Sequence, residues 1–212
     1  MTAYFNKEGM MKKVFLLVFL VIVILAGCSK PAKTGAEAVS AAAVGPFDSP
    51  FQSFTSAFEA KDYGKALAAL RSLMATFWTE SPLVLENAKF VKGENNSYGI
   101  YEPRENDVFT AGEPIFLYLE PAGYAMVRNA AGYFEFGFKA DFQLADENGK
   151  VLGGQNNFAA MSFKSWNFNT EISLTFTYTL SGLEKGKYKM ITQVSDVNST
   201  KKATIEKDLT IE

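Results

Sequence analysis

The chain has 212 residues, a formal charge of −2 at pH 7, 14% aromatic side chains, one cysteine and no histidine. A single cysteine excludes an internal disulfide and a thiolate metal cluster, and the lack of histidine excludes Ser-His-Asp and Cys-His catalytic arrangements. The nearly neutral, slightly acidic balance lacks the basic field that nucleic-acid binding needs, so we expect no nucleic-acid partner.

The first predicted element is an apolar segment close to the start of the chain. Lys12 and Lys13 precede an uninterrupted apolar run from residue 14 to residue 26. At about 1.5 Å per residue the run spans roughly 20 Å, which is shorter than the ~30 Å hydrocarbon core of a bilayer. A positive start, a short apolar run and small residues at its end predict a secretory signal peptide over residues 1–27, formed as an N-terminal signal helix.

The end of this segment, Leu25-Ala26-Gly27-Cys28, resembles the lipobox of bacterial lipoproteins. In that family a lipid is attached to the cysteine and the peptide bond before it is cut. The resemblance implies a lipid on Cys28, a membrane partner held through that lipid, and a location in the bacterial cell envelope. The residue after the cysteine is Ser29 and not an Asp. By the same resemblance, this implies an outer-membrane anchor facing the periplasm or the cell surface. A free thiol at Cys28 is the alternative.

Residues 28–47 are rich in Ala, Ser, Thr and Lys and show no apolar period. This composition predicts a flexible tether.

Residues 48–82 have the pattern of a helical hairpin. Asp48 and Ser49 are N-cap candidates for a first helix, and Ser81-Pro82 is expected to end a second, because the residue before proline resists the α region. Apolar residues recur at helical spacing in both segments. They are Phe51, Phe54 and Phe58 in the first helix, and Tyr63, Leu67, Leu70, Met74 and Phe77, the predicted inner face, in the second.

Within this segment Ala57-Phe58, Asp62 to Leu67 and Pro82 resemble one tetratricopeptide unit. The resemblance covers the hairpin alone and there is no second unit, whereas stacked arrays need at least three. A single unit implies either a hairpin docked on the next domain or an appendage that binds a partner.

From residue 83 to residue 212 the apolar period changes from 3.6 to 2. The longest alternation runs from Phe134 to Leu144, and Asn148-Gly149 favours a tight turn after it. Further strands are predicted at 83–91, 98–101, 115–120, from 151, 172–180, 188–194 and 203–211. Seven or eight short strands that can all be antiparallel indicate a β-sandwich.

The predicted fold class is therefore mainly β: an antiparallel immunoglobulin-like β-sandwich preceded by a two-helix hairpin and an N-terminal signal helix. The sandwich resembles immunoglobulin and fibronectin type III domains in strand number and alternation. The segments Tyr101 to Arg104, Gly112 to Pro114 and Tyr118 to Tyr124 are also similar to a recurring pattern in uncharacterised bacterial envelope proteins. That resemblance implies no particular activity.

Carboxylates are the main catalytic candidates that the composition leaves. Glu102, Glu113 and Glu120 could supply paired acids for glycoside hydrolysis, and the alternative is that Glu113 and Glu120 are solvated strand ends. Asp146 and its neighbours Asp141 and Glu147 could meet a calcium ion, but the spacing fits an ordinary turn better. We predict neither a metal site nor a cofactor.

Aromatic side chains are the strongest candidates for recognition. Tyr124 and Tyr133 flank a small-residue loop, and Trp166 and Phe168 lie in the segment before a predicted strand. Exposed rings of this kind stack on sugars or anchor a protein partner. The alternative is that they close the open end of the sandwich core.

Together these features predict a non-catalytic, membrane-anchored envelope lipoprotein. It would act as a binding or assembly module for a protein or a cell-wall polymer. The alternative is a carboxylate-based glycan hydrolase acting on wall material.

Overall fold

The computed structural model of the protein describes residues 45–212. The predicted signal helix, Cys28 and almost all of the predicted tether lie outside the described residues. The described part begins with two helices, α1 (Asp48–Glu59) and α2 (Tyr63–Glu80). The strands that follow are β1 (Val84–Val91), β2 (Val108–Phe109), β3 (Ile115–Ala122), β4 (Val127–Arg128), β5 (Phe134–Asp146), β6 (Val151–Ser165), β7 (Leu174–Tyr178), β8 (Gly186–Asp196) and β9 (Lys202–Ile211).

The two helices form the predicted hairpin. Asp62 is the N-cap of α2, where its carboxylate accepts a hydrogen bond from the Lys65 amide, and Ser81 leaves the helix in an extended conformation before Pro82. The start of α1 differs from the prediction. Its N-cap is Phe47, and the Asp48 carboxylate instead accepts from the Gly45 amide.

The strands form two sheets. One sheet has the order β1-β3-β7, and the other has the order β2-β9-β8-β5, with β4 and β6 both paired to β5. All of these pairs are antiparallel except β2 with β9. The prediction that all neighbours are antiparallel is therefore wrong for one pair, because the chain after β1 crosses to the other sheet and runs beside the C-terminal strand.

The hydrophobic core lies between the inner faces of the two sheets. Leu117 and Phe176 come from the smaller sheet and Phe138 and Val194 from the larger one, and each is at most 1% exposed. Thr192, a polar member of the inner face of β8, shares a hydrogen bond of 2.8 Å with the hydroxyl of Tyr178. The mainly β fold, a sandwich preceded by a helical hairpin, is thus confirmed.

Among the predicted strands, β6 differs most between the prediction and the structure. Only its beginning was predicted, because residues 153–157 are two glycines, a glutamine and two asparagines with no apolar alternation. Gly154 lies so close to β5 that an added Cβ would be 2.4 Å from the carbonyl oxygen of Phe142. Pairing along β5 maintains this strand despite its weak pattern. The predicted strand at 98–101 is a loop, with one isolated bridge between Ser97 and Ile100.

Candidate functional site

The structure places Tyr124 in the core. It is 1% exposed, its ring stacks on Phe136 at 5.0 Å, and its hydroxyl donates a hydrogen bond to the carbonyl oxygen of Asn169 at 2.5 Å. Burial raises the pKa of the Tyr124 phenol above its usual value. The prediction that Tyr124 belongs to a binding surface is therefore wrong, and the alternative of a ring closing the core applies to it.

Tyr133 and Trp166 do come together at the surface. Phe134 pairs with Ser165 in the β5–β6 register, which places the residues just beyond them side by side. The two rings meet edge to face with centroids 5.6 Å apart, and Trp166 is 75% exposed. The Lys164 ammonium lies 5.1 Å from the centroid of the Tyr133 ring. With Ser165, these side chains line a shallow cavity of about 220 Å³.

Phe168 lies between the hairpin and the sandwich. Its half-buried ring makes edge contacts with Trp78 of α2, at a centroid distance of 6.4 Å, and with Phe134 of β5, at 5.8 Å. It also lines a groove of about 570 Å³. The other residues of that groove are Arg71, Met74, Asn167 and Thr170.

Among the described residues, the helices also expose a set of apolar side chains that the sequence did not predict to be a surface. The predicted inner face of α2 is solvent-exposed, with exposed fractions between 46% and 62%. In α1, Phe51 and Phe58 are likewise 57% and 55% exposed. We call these seven side chains the hairpin face: Phe51, Phe58, Tyr63, Leu67, Leu70, Met74 and Phe77.

The packing of the hairpin explains this exposure. Ala57 and Ala66 are the only buried hairpin residues among those described, and both have small side chains. The larger rings and aliphatic chains of the hairpin are therefore left exposed or only partly buried. Phe47, Leu73 and three members of the hairpin face line an apolar cavity of about 300 Å³, and one of those members, Met74, also lines the groove beside Phe168.

Contact between the hairpin and the sandwich is concentrated at the end of α2. The Trp78 indole nitrogen donates to the carbonyl oxygen of Tyr124 at 2.9 Å, and its ring meets the Tyr124 ring edge to face at 5.2 Å. The Lys201 ammonium donates to the carbonyl oxygens of Thr79 and Gly123, both at 2.8 Å. The Thr79 carbonyl lies in the last turn of α2, so the cation there also complements the helix dipole.

Glu120 is buried, so the alternative that it is a solvated strand end is wrong. It is 4% exposed and accepts hydrogen bonds from the Tyr118 hydroxyl at 2.5 Å, the Asn87 amide group at 2.6 Å and the Gly99 backbone at 3.1 Å. Burial acts to raise the pKa of Glu120, but these hydrogen bonds outweigh it and hold the pKa below its usual value. Burial, followed by the bond to Glu120, raises the pKa of Tyr118 to about 12.

The other candidate acids also make structural contacts. Glu113 accepts from Arg104 at 2.7 Å and from the Thr110 amide at 2.9 Å. The Thr110 bond is the main reason that the pKa of Glu113 lies below its usual value, against the opposing effect of partial burial. Glu102 forms an exposed ion pair with Lys92 at 2.6 Å. A carboxyl group kept ionised by its donors is poorly suited to act as a general acid near neutral pH.

The carboxylates near the β5–β6 turn are also occupied. Asp146 accepts hydrogen bonds from the amides of Asn148 and Lys150, as in an ordinary turn, and Asp141 accepts from the amide of Asn157 at 2.5 Å. Across residues 45–212 there is no group of three or more acidic, histidine or cysteine side chains placed to hold a metal ion. Neither described helix has the length and apolar character needed to cross a bilayer.

Comparisons with known proteins gave no assignment by sequence: no family model matches the chain, and no curated protein matches it significantly. Among solved structures, the chain is similar to the sporulation control protein Spo0M of Bacillus subtilis, with 9% identity and a TM-score of 0.32, over 62% of this chain and 50% of that one. It is also similar to the DNA glycosylase AlkC of Pseudomonas fluorescens, with 7% identity and a TM-score of 0.34, over 70% of this chain and 38% of that one.

A third similar structure is a CARDB domain from Pyrococcus furiosus, with 14% identity and a TM-score of 0.32, over 63% of this chain and 90% of that one. The chain spans half or less of the length of the first two structures. At these scores the likenesses support no conclusion about activity.

Proposed function

We propose that the protein is an exported lipoprotein, anchored through Cys28 in the bacterial cell envelope, that acts as a non-catalytic binding or assembly module for a protein or cell-wall polymer. The observation that carries this proposal is the Leu25-Ala26-Gly27-Cys28 motif directly after a short apolar run. Cys28 is also the only cysteine of the chain, so no other thiol competes for the modification.

Two surfaces of the described residues suit a binding module. The Tyr133–Trp166 pair presents aromatic rings beside the Lys164 ammonium, which is a combination able to stack on a sugar or to hold a protein side chain. The hairpin face adds a larger apolar area. The proposed position is the outer membrane, facing the periplasm or the cell surface, because Ser29 follows the modified cysteine.

Metabolic labelling with an alkyne analogue of palmitate tests the anchor. We expect the wild-type protein to be labelled and to sediment with membranes, and Cys28→Ser to lose both properties. In Ser29→Asp the label should remain while the protein moves to the inner-membrane fraction. An unlabelled wild-type protein in the cytosol would contradict the proposal.

Crosslinking in intact cells tests the binding role. We expect the wild-type protein to be recovered with a protein or wall fragment, and Trp166→Ala to lose any partner held by the aromatic pair. Val197→Ala, which removes another exposed apolar side chain of the sandwich, is the matched control. Recovery of the wild-type protein alone, when other envelope lipoproteins in the same sample keep their partners, would contradict a binding role.

A further inference from the structure

We infer that the hairpin face seats on the surface of a phospholipid bilayer, so that α1 and α2 hold the protein against the membrane to which Cys28 is anchored. This inference rests on the proposed lipid anchor and adds a second point of membrane contact.

The first reason is the size and continuity of the hairpin face. Its five members in α2 are spaced alternately four and three residues apart, which keeps them on one side of the helix, and Phe58 of α1 adjoins them through Tyr63. With about half of each side chain exposed, the seven side chains sum to roughly 600–700 Å² of apolar surface. Monomeric soluble proteins expose patches of about 300–600 Å² at most, and such patches are often functional. A surface of this size is expected to be covered.

The second reason is the position of the hairpin in the chain. It is the first described element after Cys28, and the twenty residues from Cys28 to Phe47 can extend by at most roughly 70 Å. If this segment is the predicted tether, its r.m.s. reach is about 22–27 Å. A lipid on Cys28 would therefore keep the hairpin face at a high local concentration near the bilayer.

The third reason is the chemistry of the hairpin. The face ends in rings, with Phe58 against Tyr63 at 6.2 Å near the turn and Phe47 against Phe77 at 6.5 Å at the other end. Tyrosine and phenylalanine at the edges of an apolar surface suit the boundary between acyl chains and headgroups. A second copy of the chain could also cover this area, since a standard interface buries about 800 Å² per partner. The nearby anchor favours the bilayer.

Charge indicates which lipids are needed. Residues 48–80 carry four acidic and three basic side chains, and one of these pairs, Lys65 with Asp62, is an ion pair of 2.8 Å. A segment with this balance gains nothing from an anionic surface. We therefore expect docking on zwitterionic phosphatidylcholine that changes little with salt concentration.

The test supplies the anchor chemically. Residues 28–212 are coupled through Cys28 to a maleimide lipid in phosphatidylcholine vesicles that contain brominated acyl chains, which quench tryptophan fluorescence. Tryptophan is introduced as Phe58→Trp on the hairpin face or as Ile100→Trp, a control site on the sandwich that is 73% exposed. The fluorescence of the native Trp78 and Trp166 is measured in the protein without the added tryptophan and is subtracted.

We expect quenching of the Phe58→Trp signal to exceed that of Ile100→Trp by at least threefold, and hydrogen exchange in α2 to slow by roughly tenfold on vesicles. Leu67→Glu with Met74→Glu should remove both effects, and circular dichroism confirms that this variant is folded. Equal quenching at the two sites would overturn the inference. The inference would also be overturned if the uncoupled protein were a dimer and the double substitution Leu67→Glu with Met74→Glu converted it to a monomer. In that case the hairpin face would be covered by a second copy of the chain.

Failure of this inference is distinguishable from failure of the proposed function. The vesicle result depends only on the coupled protein, whereas the anchor is tested by palmitate labelling in cells. If the protein is labelled by the palmitate analogue in cells but the Phe58→Trp fluorescence is not quenched on vesicles, the proposed function stands and the inference is wrong.

Discussion

At the scale of single residues, a few polar side chains fix the conformation of the strands around them. Asn87 has a φ of 51° and lies in the irregularity between Glu86 and Lys89 of β1, and this conformation allows its amide to reach Glu120. The Gly99 amide in the loop after β1 donates to the same carboxylate. Glu120 of β3 is therefore hydrogen-bonded both to the irregularity in β1 and to the loop after β1. This buried charge has a structural role.

Glu120→Gln tests this role. The folded-state pKa of Glu120 lies below its usual value of about 4.3, so its contribution to stability is present above that pH and is lost as the pH falls. We expect the variant to lose about 1–3 kcal/mol of unfolding free energy at pH 7, because an amide is a poorer acceptor for the three donors, and to lose less at pH 3.5. Urea denaturation at both pH values measures this difference.

The matched control is Glu102→Gln, which removes a carboxylate from an exposed ion pair. We expect a change below about 1 kcal/mol there. Equal losses for Glu120→Gln at the two pH values would contradict the assignment of a stabilising charge.

Gly123 is a second residue whose role depends on one close contact. Its φ is +77°, and an added Cβ would lie 2.2 Å from the carbonyl oxygen of Pro82. Gly123→Ala should therefore lower the unfolding free energy by about 2–5 kcal/mol, combining backbone strain with overpacking. Gly149→Ala, with a similar φ of +82° and open space around it, should lose only about 1–2 kcal/mol. Calorimetry of the two variants separates the clash from the strain.

At the scale of elements, the hairpin is attached at one end of α2. Trp78 and Lys201 connect the last turn of that helix to the strands and loops of the sandwich. The hairpin face of the same helix remains exposed. Helix α2 thus combines a short docked end with a long exposed apolar stripe.

Trp78→Ala should weaken the contact between the end of α2 and the sandwich. We expect hydrogen exchange in the last turn of α2 to increase by tenfold or more, because the indole donor and two ring contacts are lost, while β5 and β8 keep their protection. Phe77→Ala, at the neighbouring position but 62% exposed, should leave the exchange of that turn within about threefold of the wild type. Equal effects of the two substitutions would show that the docking contacts do not hold the helix end.

At the scale of the whole molecule, the described residues have one core, and it belongs to the strands. Its fully buried members come from residues 83–211, and the hairpin contributes only Trp78 at its margin. The sandwich is therefore expected to fold without the hairpin, while the hairpin buries too little to be stable alone.

Removing the hairpin tests this independence. Residues 83–212 should unfold in a single cooperative transition, with a midpoint roughly 5–10 °C lower because the Trp78 contacts are missing. Thermal unfolding followed by near-ultraviolet circular dichroism measures it. Non-cooperative melting of this segment, with cooperative melting of residues 45–212, would show that the hairpin is part of the folding unit.

The sequence by itself determined the features that depend on neighbours along the chain. The alternation at 134–144 predicted β5, Ser81-Pro82 predicted the end of α2, and Asn148-Gly149 predicted the turn. These signals are local, because a period, a cap or a turn residue acts on the backbone within a few positions. The class of fold followed from their sum.

Only the tertiary structure decided what lies against each apolar face. A helical period shows that α2 has an apolar side but not whether the protein covers it, and the structure leaves that side exposed. The same limit applied to Tyr124, which is a core residue, and to the parallel β2–β9 pair. Burial and strand partners depend on residues far apart in the chain, and no local pattern encodes their distance in space.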